Sequence, residues 1–303
     1  MAELAPWWPG AAVEVDGREL FVRRGPEPSA GREPAVFVHG LGGSATNWTD
    51  LMAELGDVLA GAAPDLPGFG ESPPPPDDDY SIDAHADVVA GLVEALGRGP
   101  VHLFGNSMGG AVATRVAAQR PELVRSLTLV TPALPDLRPR PHPYQLLSGL
   151  LPVLGPVGHA WLLRRPPEAQ VRTMLDMCYH DPGRVPPPRM TATVEEYRRR
   201  AGLAHVSRAE LGSLRGLVQE YVRSGPRALW RQAGLVECPV LLVYGRHDKL
   251  VDARMALRAG QAFRDSRTVV LSDSGHLPMM EHPAAVAREV RALLDDVAPG
   301  PRR

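Results

Sequence analysis

The chain has 303 residues, 44% hydrophobic and 22% charged, with a formal net charge of −2 and nearly all its cationic charge on arginine. That length holds one large α/β domain or two small ones. The balanced charge gives no sign of a nucleic-acid or anionic-membrane partner, so neither is expected. Two cysteines, Cys178 and Cys238, leave room for one disulfide but not for a stapled scaffold.

Residues 1–9 lack a basic stretch followed by an apolar one, so no signal peptide is expected. No apolar run reaches the roughly 20 residues that span a bilayer. A cytoplasmic protein is the expectation.

Residues 12–24 predict two short strands about the turn signal Asp16-Gly17. Residues 25–34 are a Pro/Gly-rich loop. The compact run Ala35-Val36-Phe37-Val38-His39 predicts a central parallel strand. It ends in His39-Gly40-Leu41-Gly42-Gly43, and a helical stretch follows Trp48 to about Val58. Residues 62–65 predict the next strand, leading into the turn-rich segment Asp65–Gly70. Residues 73–79 are proline and acid, a solvated loop. Residues 81–96 carry apolar side chains at helical spacing, with Ser81 placed to cap the first turn.

Val101-His102-Leu103-Phe104 predicts a buried strand. It turns through Gly105-Asn106-Ser107-Met108-Gly109 into an Ala/Val-rich helix. The glycines have a steric purpose. A serine on so sharp a turn has strained backbone and little room beside it. Gly105 and Gly109 carry no side chain to collide there, and Gly110 lets the helix approach the sheet. The helix N-terminus offers unpaired N–H groups and partial positive charge to a developing oxyanion. The bland reading of Gly-x-Ser-x-Gly is a tight strand–helix turn. Its setting, strand before and helix after, points to a nucleophile.

Residues 126–131 predict another strand. From 132 to 234 no strand-like run occurs. The stretch is rich in proline and arginine, with helical patches at 170–177, 194–201 and 209–222. It predicts a mostly helical insertion over the C-terminal edge of the sheet. Residues 240–244 and 268–271 predict the last strands, 283–296 the last helix, and 298–303 a frayed tail. Strands alternating with helices predict an α/β fold with a mostly parallel sheet covered on both faces.

These motifs resemble the α/β-hydrolase superfamily over residues 12–131 and 235–297. The resemblance implies a core of 1–131 and 235–303, a helical cap of 132–234, and a chain order of nucleophile, acid, histidine. It places the nucleophile at Ser107, the acid at Asp248 in Gly245-Arg246-His247-Asp248, and the base at His276 in Ser274-Gly275-His276-Leu277. The chemistry needs those types. A serine hydroxyl attacks a carbonyl only when a neutral imidazole takes its proton. A carboxylate fixes the imidazole tautomer and stabilises the imidazolium. From the residues alone Asp252 and Asp273 compete with Asp248 for the acid role. His247 and His282 read as structural. The resemblance also implies an oxyanion hole from the backbone N–H groups of Leu41 and Met108, supported by His39, Gly40 and Gly42. The glycine-rich loop at 40–43 lacks the Gly-Lys-Ser/Thr of a phosphate cradle. No metal-ligand spacing is present, so no metal or cofactor is expected.

A serine nucleophile separates the chain from the haloalkane dehalogenase and epoxide hydrolase branches, which use aspartate. The implied activity is a carboxylesterase for small or medium apolar esters, acting through an acyl-enzyme on a small-molecule substrate. The segment Gly105–Gly110 also resembles the elbow of hydrolases that cleave C–C bonds in ring-fission products. Their oxyanion loop reads Ser-Gly-Pro-Gly after His-Gly, where this chain has Leu41-Gly42-Gly43-Ser44. A third reading is a hydrolase-like small-molecule receptor with little turnover. The apolar residues of the cap include Leu146, Leu147, Leu150, Leu151, Trp161, Leu162, Leu163, Met174 and Met177, expected mainly as its own core.

Overall fold

The computed structural model describes residues 5–25, 31–136, 157–158, 161 and 164–297. One eight-stranded sheet runs through it. In chain order the strands are β1 (Gly10–Val15), β2 (Arg18–Arg24), β3 (Glu33–Val38), β4 (Leu59–Pro64), β5 (Val101–Asn106), β6 (Val124–Val130), β7 (Val240–Gly245) and β8 (Ser266–Leu271). Their spatial order is β1-β2-β4-β3-β5-β6-β7-β8. The β1–β2 and β2–β4 pairings are antiparallel and the rest parallel. Every residue of β5 and β7 is buried, as a continuous apolar strand between two helical layers must be.

The pleat sorts β3 onto two cores. Val36 and Val38 join the layer of α2 (Ile82–Leu96) and α3 (Met108–Gln119). Ala35 and Phe37 join the opposite layer, which holds α1 (Thr49–Glu54). There Phe37 stacks on Phe104 of β5 at 4.2 Å between ring centroids. Both faces of the sheet are therefore covered.

Local signals explain most boundaries. The Ser81 side chain accepts the Ala84 N–H, and α2 ends at Gly97 in the left-handed region. The helix expected to reach Val58 is shorter. After Leu55 the chain turns, with the Val58 N–H donating to the Leu55 carbonyl, because it must enter β4 at Leu59.

Between β6 and β7 the described residues form helices α4 (Pro167–Cys178), α5 (Pro187–Ala201), α6 (Val206–Val222) and α7 (Leu229–Ala233). Helix α5 starts well ahead of residue 194, with proline in its first turn, where no intrahelical N–H is needed. Met174 and Met177 pack against the α1-side core, whereas Trp161 is exposed. Leu146, Leu147, Leu150, Leu151, Leu162 and Leu163 lie outside the described residues, as do 298–303. Helix α8 (Met255–Ala262) separates β7 from β8, and α9 (Pro278–Glu281) and α10 (Pro283–Val297) follow. Among the described residues no helix is long and apolar enough to cross a membrane.

A buried ion cluster ties α6 to the core. Arg115 of α3, fully buried, pairs with Asp83 at the start of α2 and with Glu220 of α6 at 2.7 Å. It also donates to the Arg227 carbonyl at 3.1 Å.

Candidate active site

The strand order reverses direction at β3. The chain leaves β3 for β4 on one side, while β5 lies on the other. Loops departing in opposite directions leave a crevice at the C-terminal ends of β3 and β5, the switch point where open α/β sheets hold ligands. His39–Gly43 and Asn106–Ser107 meet there.

Ser107 caps α3 with φ 52° and ψ −117°, outside the regions an L-residue ordinarily occupies. Its N–H donates to the Val130 carbonyl at 3.1 Å, and its carbonyl accepts from Ala133 at 2.9 Å. These bonds hold the strained turn against the end of β6. A Cβ on Gly109 would strike the carbonyls of Val38 and His39. Gly109 is thus the residue that lets α3 lie on β3. Gly110 also lies against the sheet as expected, its Cα 2.8 Å from where a Cβ on Gly105 of β5 would sit, and a Cβ of its own would come within 2.9 Å of the Pro132 Cα. Met108 is the first residue of α3, so its N–H has no partner within the helix.

The loop after β3 presses on this elbow. A Cβ on Gly40 would lie 3.0 Å from the Ser107 Cβ. Gly43 N–H closes a turn onto the Gly40 carbonyl at 3.0 Å, with Gly42 at φ 70°. Leu41 sits at the centre of that turn, half-buried against the core. His39 fixes the turn from below. Its Nδ1 donates to the Gly40 carbonyl at 2.8 Å, and its Nε2 accepts the Leu66 N–H at 2.9 Å. Burial drives its pKa down to about 3, so the ring is neutral. Asp65 braces from the other side, accepting from Ala45 N–H at 2.6 Å and Glu71 N–H at 2.8 Å. Its burial raises its pKa to about 6.

Asp248 and His276 stand beyond the ends of β7 and β8. The His276 Nδ1 donates to Asp248 Oδ2 at 2.7 Å, and both residues are buried. The other carboxylate oxygen accepts from Leu250 N–H at 2.7 Å and Val251 N–H at 2.9 Å. Asp252 instead accepts the Arg254 N–H. The Asp273 carbonyl accepts from His282 Nε2 at 2.9 Å. His247 stacks on His180, with ring centroids 3.8 Å apart. The two loops touch at Gly245, where a Cβ would come within 2.6 Å of the Ser274 carbonyl.

Sequence reasoning missed several neighbours. Thr131, at φ 45°, donates its hydroxyl to the His276 carbonyl at 2.9 Å. Asn106 Nδ2 shares its hydrogens among the same carbonyl (3.3 Å), the Val130 carbonyl (3.1 Å) and Thr131 Oγ1 (3.0 Å). The His276 N–H donates to the Cys178 carbonyl at the end of α4, at 2.6 Å. Glu281 accepts the N–H groups of Gly275 and His180, each at 2.8 Å. Arg200 of α5 reaches the Gly42 carbonyl at 2.8 Å. None of these partnerships has a local sequence signature. Both cysteines are free. Among the described residues no three His, Cys, Asp or Glu side chains converge as metal ligands would. A separate cleft of about 320 Å³ is lined by Asp50, Tyr179, Arg184, Arg189 and Glu281, and by none of Ser107, Asp248 and His276.

The fold has parallels among known proteins. A family model for the alpha/beta hydrolase fold matches residues 34–283. The chain is 28% identical over 295 residues to 2-hydroxymuconate semialdehyde hydrolase of Pseudomonas sp. (strain CF600), covering 92% of this chain and 93% of that protein. It is 27% identical over 267 residues to Lipase 3 of Moraxella sp. (strain TA144), covering 87% and 78%. The crystal structure of a membrane phospholipase A, a bacterial virulence factor, superposes with a TM-score of 0.78 at 27% identity, covering 96% of this chain and 87% of that one. The matched stretch carries the whole sheet from β3 to β8 and every loop that meets at the switch point, and on that ground the chain belongs to the alpha/beta hydrolase fold family.

Proposed function

We propose that the protein is a serine hydrolase that cleaves small or medium apolar carboxylic esters through an acyl-enzyme. The observation that carries this reading is the pairing of a strained, half-buried Ser107 at a helix N-terminus with a buried His276–Asp248 hydrogen bond across the same crevice. His276 uses Nδ1 on Asp248, which leaves Nε2 as the proton acceptor for the Ser107 hydroxyl. Attack on the ester carbonyl forms the Ser107 Oγ–carbon bond and a tetrahedral oxyanion. The Leu41 and Met108 N–H groups stabilise that oxyanion. His276 then returns the proton to the departing alcohol. Water, deprotonated by the same imidazole, releases the acid and restores Ser107. Residues 132–234 act as a cap that excludes water and selects the acyl and alcohol groups.

The relationship to 2-hydroxymuconate semialdehyde hydrolase favours a second reading, hydrolysis of a C–C bond next to a carbonyl group. The same serine, histidine and oxyanion donors serve it, but the leaving group is a carbon acid.

The test is fluorophosphonate labelling followed by turnover of 4-nitrophenyl esters of increasing acyl length and of 2-hydroxymuconate semialdehyde. Labelling at Ser107 with ester turnover, both lost in Ser107→Ala with the fold intact, is the expected result. Labelling with turnover of the semialdehyde alone selects the C–C reading. Substantial turnover by folded Ser107→Ala sinks both.

A further inference from the structure

Arg200 lies in the last turn of α5 and is 6% exposed, an unusual place for an arginine unless its donors are engaged. They are. Nη1 donates to the Gly42 carbonyl at 2.8 Å, and Nη2 pairs with Glu210 of α6 at 3.0 Å. The guanidinium carbon stands 5.4 Å from the centroid of the Tyr197 ring. Glu210 and Tyr197 thus orient the fork, and the fork grips a backbone carbonyl 158 residues away in sequence.

That carbonyl belongs to the turn that presents Leu41. The Gly40 carbonyl is already held by Gly43 N–H and His39 Nδ1. The Gly42 carbonyl is held by Arg200. The Leu41 N–H shares a peptide plane with the Gly40 carbonyl, and the Gly42 carbonyl shares one with the Gly43 N–H that closes onto it. Gly42, at φ 70°, has no Cβ to confine it, and glycine crosses between left- and right-handed backbone readily. Without a donor on its carbonyl, the Gly42–Gly43 peptide is free to rotate, withdraw the Gly43 N–H from the Gly40 carbonyl and loosen the peptide that carries the Leu41 N–H. A charge-assisted bond from a pre-oriented guanidinium is stronger than a neutral one and fixes direction as well as distance. A lysine ammonium is a point donor on a flexible stem and reproduces this poorly.

We propose that Arg200 is a positioning residue that locks the oxyanion loop through the Gly42 carbonyl, so that the oxyanion hole is complete only when α5 and α6 are docked on the core. The proposal deepens the hydrolase reading above and rests on it. The donors that face Glu210 and Gly42 are spoken for within the protein, so Arg200 is not assigned to a substrate carboxylate.

The experiment uses the full chain with Arg200→Met, Arg200→Lys and Glu210→Gln. Three measurements are made on each. They are kcat and KM on the best ester, inhibition by a trifluoromethyl ketone that forms an oxyanion on Ser107, and inhibition by the alcohol product, which forms none. Amide hydrogen exchange of residues 40–43 is followed in parallel. Arg200→Met is expected to lower kcat about 10²-fold, the scale of one lost oxyanion donor, and to weaken the trifluoromethyl ketone by a similar factor. KM and alcohol inhibition are expected to stay within about twofold, because interactions made only in the transition state show in kcat. Exchange at residues 40–43 is expected to quicken. Arg200→Lys should recover part of the loss, and Glu210→Gln should show the same pattern at about threefold to tenfold.

Unchanged kcat with unchanged exchange overturns the proposal. So does a rise in KM and in alcohol inhibition constant at constant kcat, which would make Arg200 a substrate contact. If Arg200→Met does not fold, Arg200→Lys and Glu210→Gln decide the matter by the same split. The hydrolase reading fails separately, by absence of labelling and turnover in the wild-type protein. The exchange measurement still tests the loop in that case.

Discussion

The His276 ring and the Asp248 carboxylate meet at 2.7 Å, and the second oxygen of Asp248 is saturated by the N–H groups of Leu250 and Val251. That oxygen cannot turn away to solvent, so the carboxylate presents one fixed acceptor to Nδ1. Asp248→Asn would keep the shape but present an amide or reverse the tautomer. In serine proteases the corresponding change costs about 10⁴ in kcat. A loss of about 10³–10⁴ in kcat is expected here. Asp252→Asn and Asp273→Asn should stay within about threefold of wild type, because the His276 Nδ1 is bonded to Asp248, and Asp273 meets His282 through a backbone carbonyl that the substitution keeps. Steady-state kinetics on the three proteins check this. A crippled Asp252 or Asp273 variant would move the acid.

Thr131 holds a β-branched side chain at φ 45°, a conformation that persists only where its surroundings enforce it. Its hydroxyl donates to the His276 carbonyl behind the elbow. Thr131→Val keeps the volume and removes the donor, leaving that buried carbonyl to Asn106 alone at 3.3 Å. The expected cost is about 1 kcal/mol in stability and about a tenfold slower fluorophosphonate reaction. Thr131→Ser should restore most of both. Urea titration and labelling rates measure the two effects, and a Val variant as fast as wild type would remove Thr131 from the machinery.

Arg115 sits at the junction of α2, α3 and α6 with Glu220 buried beside it. Burial raises the Glu220 pKa even though Arg115 and Arg223 oppose the shift. Arg115→Met would leave that carboxylate with Arg223 alone. Breaking a buried pair from one side costs about 3–5 kcal/mol, and with Arg223 still in place a loss of about 3 kcal/mol is expected. The double variant Arg115→Met with Glu220→Leu should recover much of it. Denaturant midpoints decide, and a single variant as stable as wild type would contradict the coupling.

Acid should weaken the fold through two histidines that cannot charge in place. Burial lowers the pKa of His39 to about 3 and that of His85 to about 4, from an ordinary 6.5. Above pH 6.5 both states are neutral and nothing is lost. As pH falls from 6.5 toward 4 the unfolded chain takes up two protons that the folded chain refuses. Stability then falls by up to roughly 1.4 kcal/mol per pH unit for each histidine. Asp65, raised to about 6 by burial, acts in the opposite sense, because the folded chain binds its proton first. The clean readout is therefore a difference. Between pH 6.5 and 5.5 the wild-type protein should lose about 1 kcal/mol more than His85→Gln. Parallel pH dependences would refute the burial of a neutral His85.

What could be read along the chain was whatever a short segment specifies for itself. Continuous apolar runs marked β3, β5 and β7 because a strand buried on both faces admits little else. Ser81 and Gly97 bounded α2 because caps act within a few residues. Gly-Asn-Ser-Met-Gly marked the elbow because its strain needs those small neighbours in that order. Strand β8 was legible only in part, since an edge strand buries too little to declare its ends. The rest belonged to the tertiary structure. Three acids stood within reach of His276 in sequence, and only the packing of the loops after β7 and β8 brought Asp248 to its ring. That Gly109 faces β3 while Gly110 faces Gly105 and Pro132 depends on how α3 rotates on the sheet. The grip of Arg200 on Gly42, and of Thr131 on His276, joins residues far apart in the chain through a carbonyl that every residue possesses. A backbone acceptor carries no sequence identity, so no pattern of side chains could have announced either contact before the chain was folded.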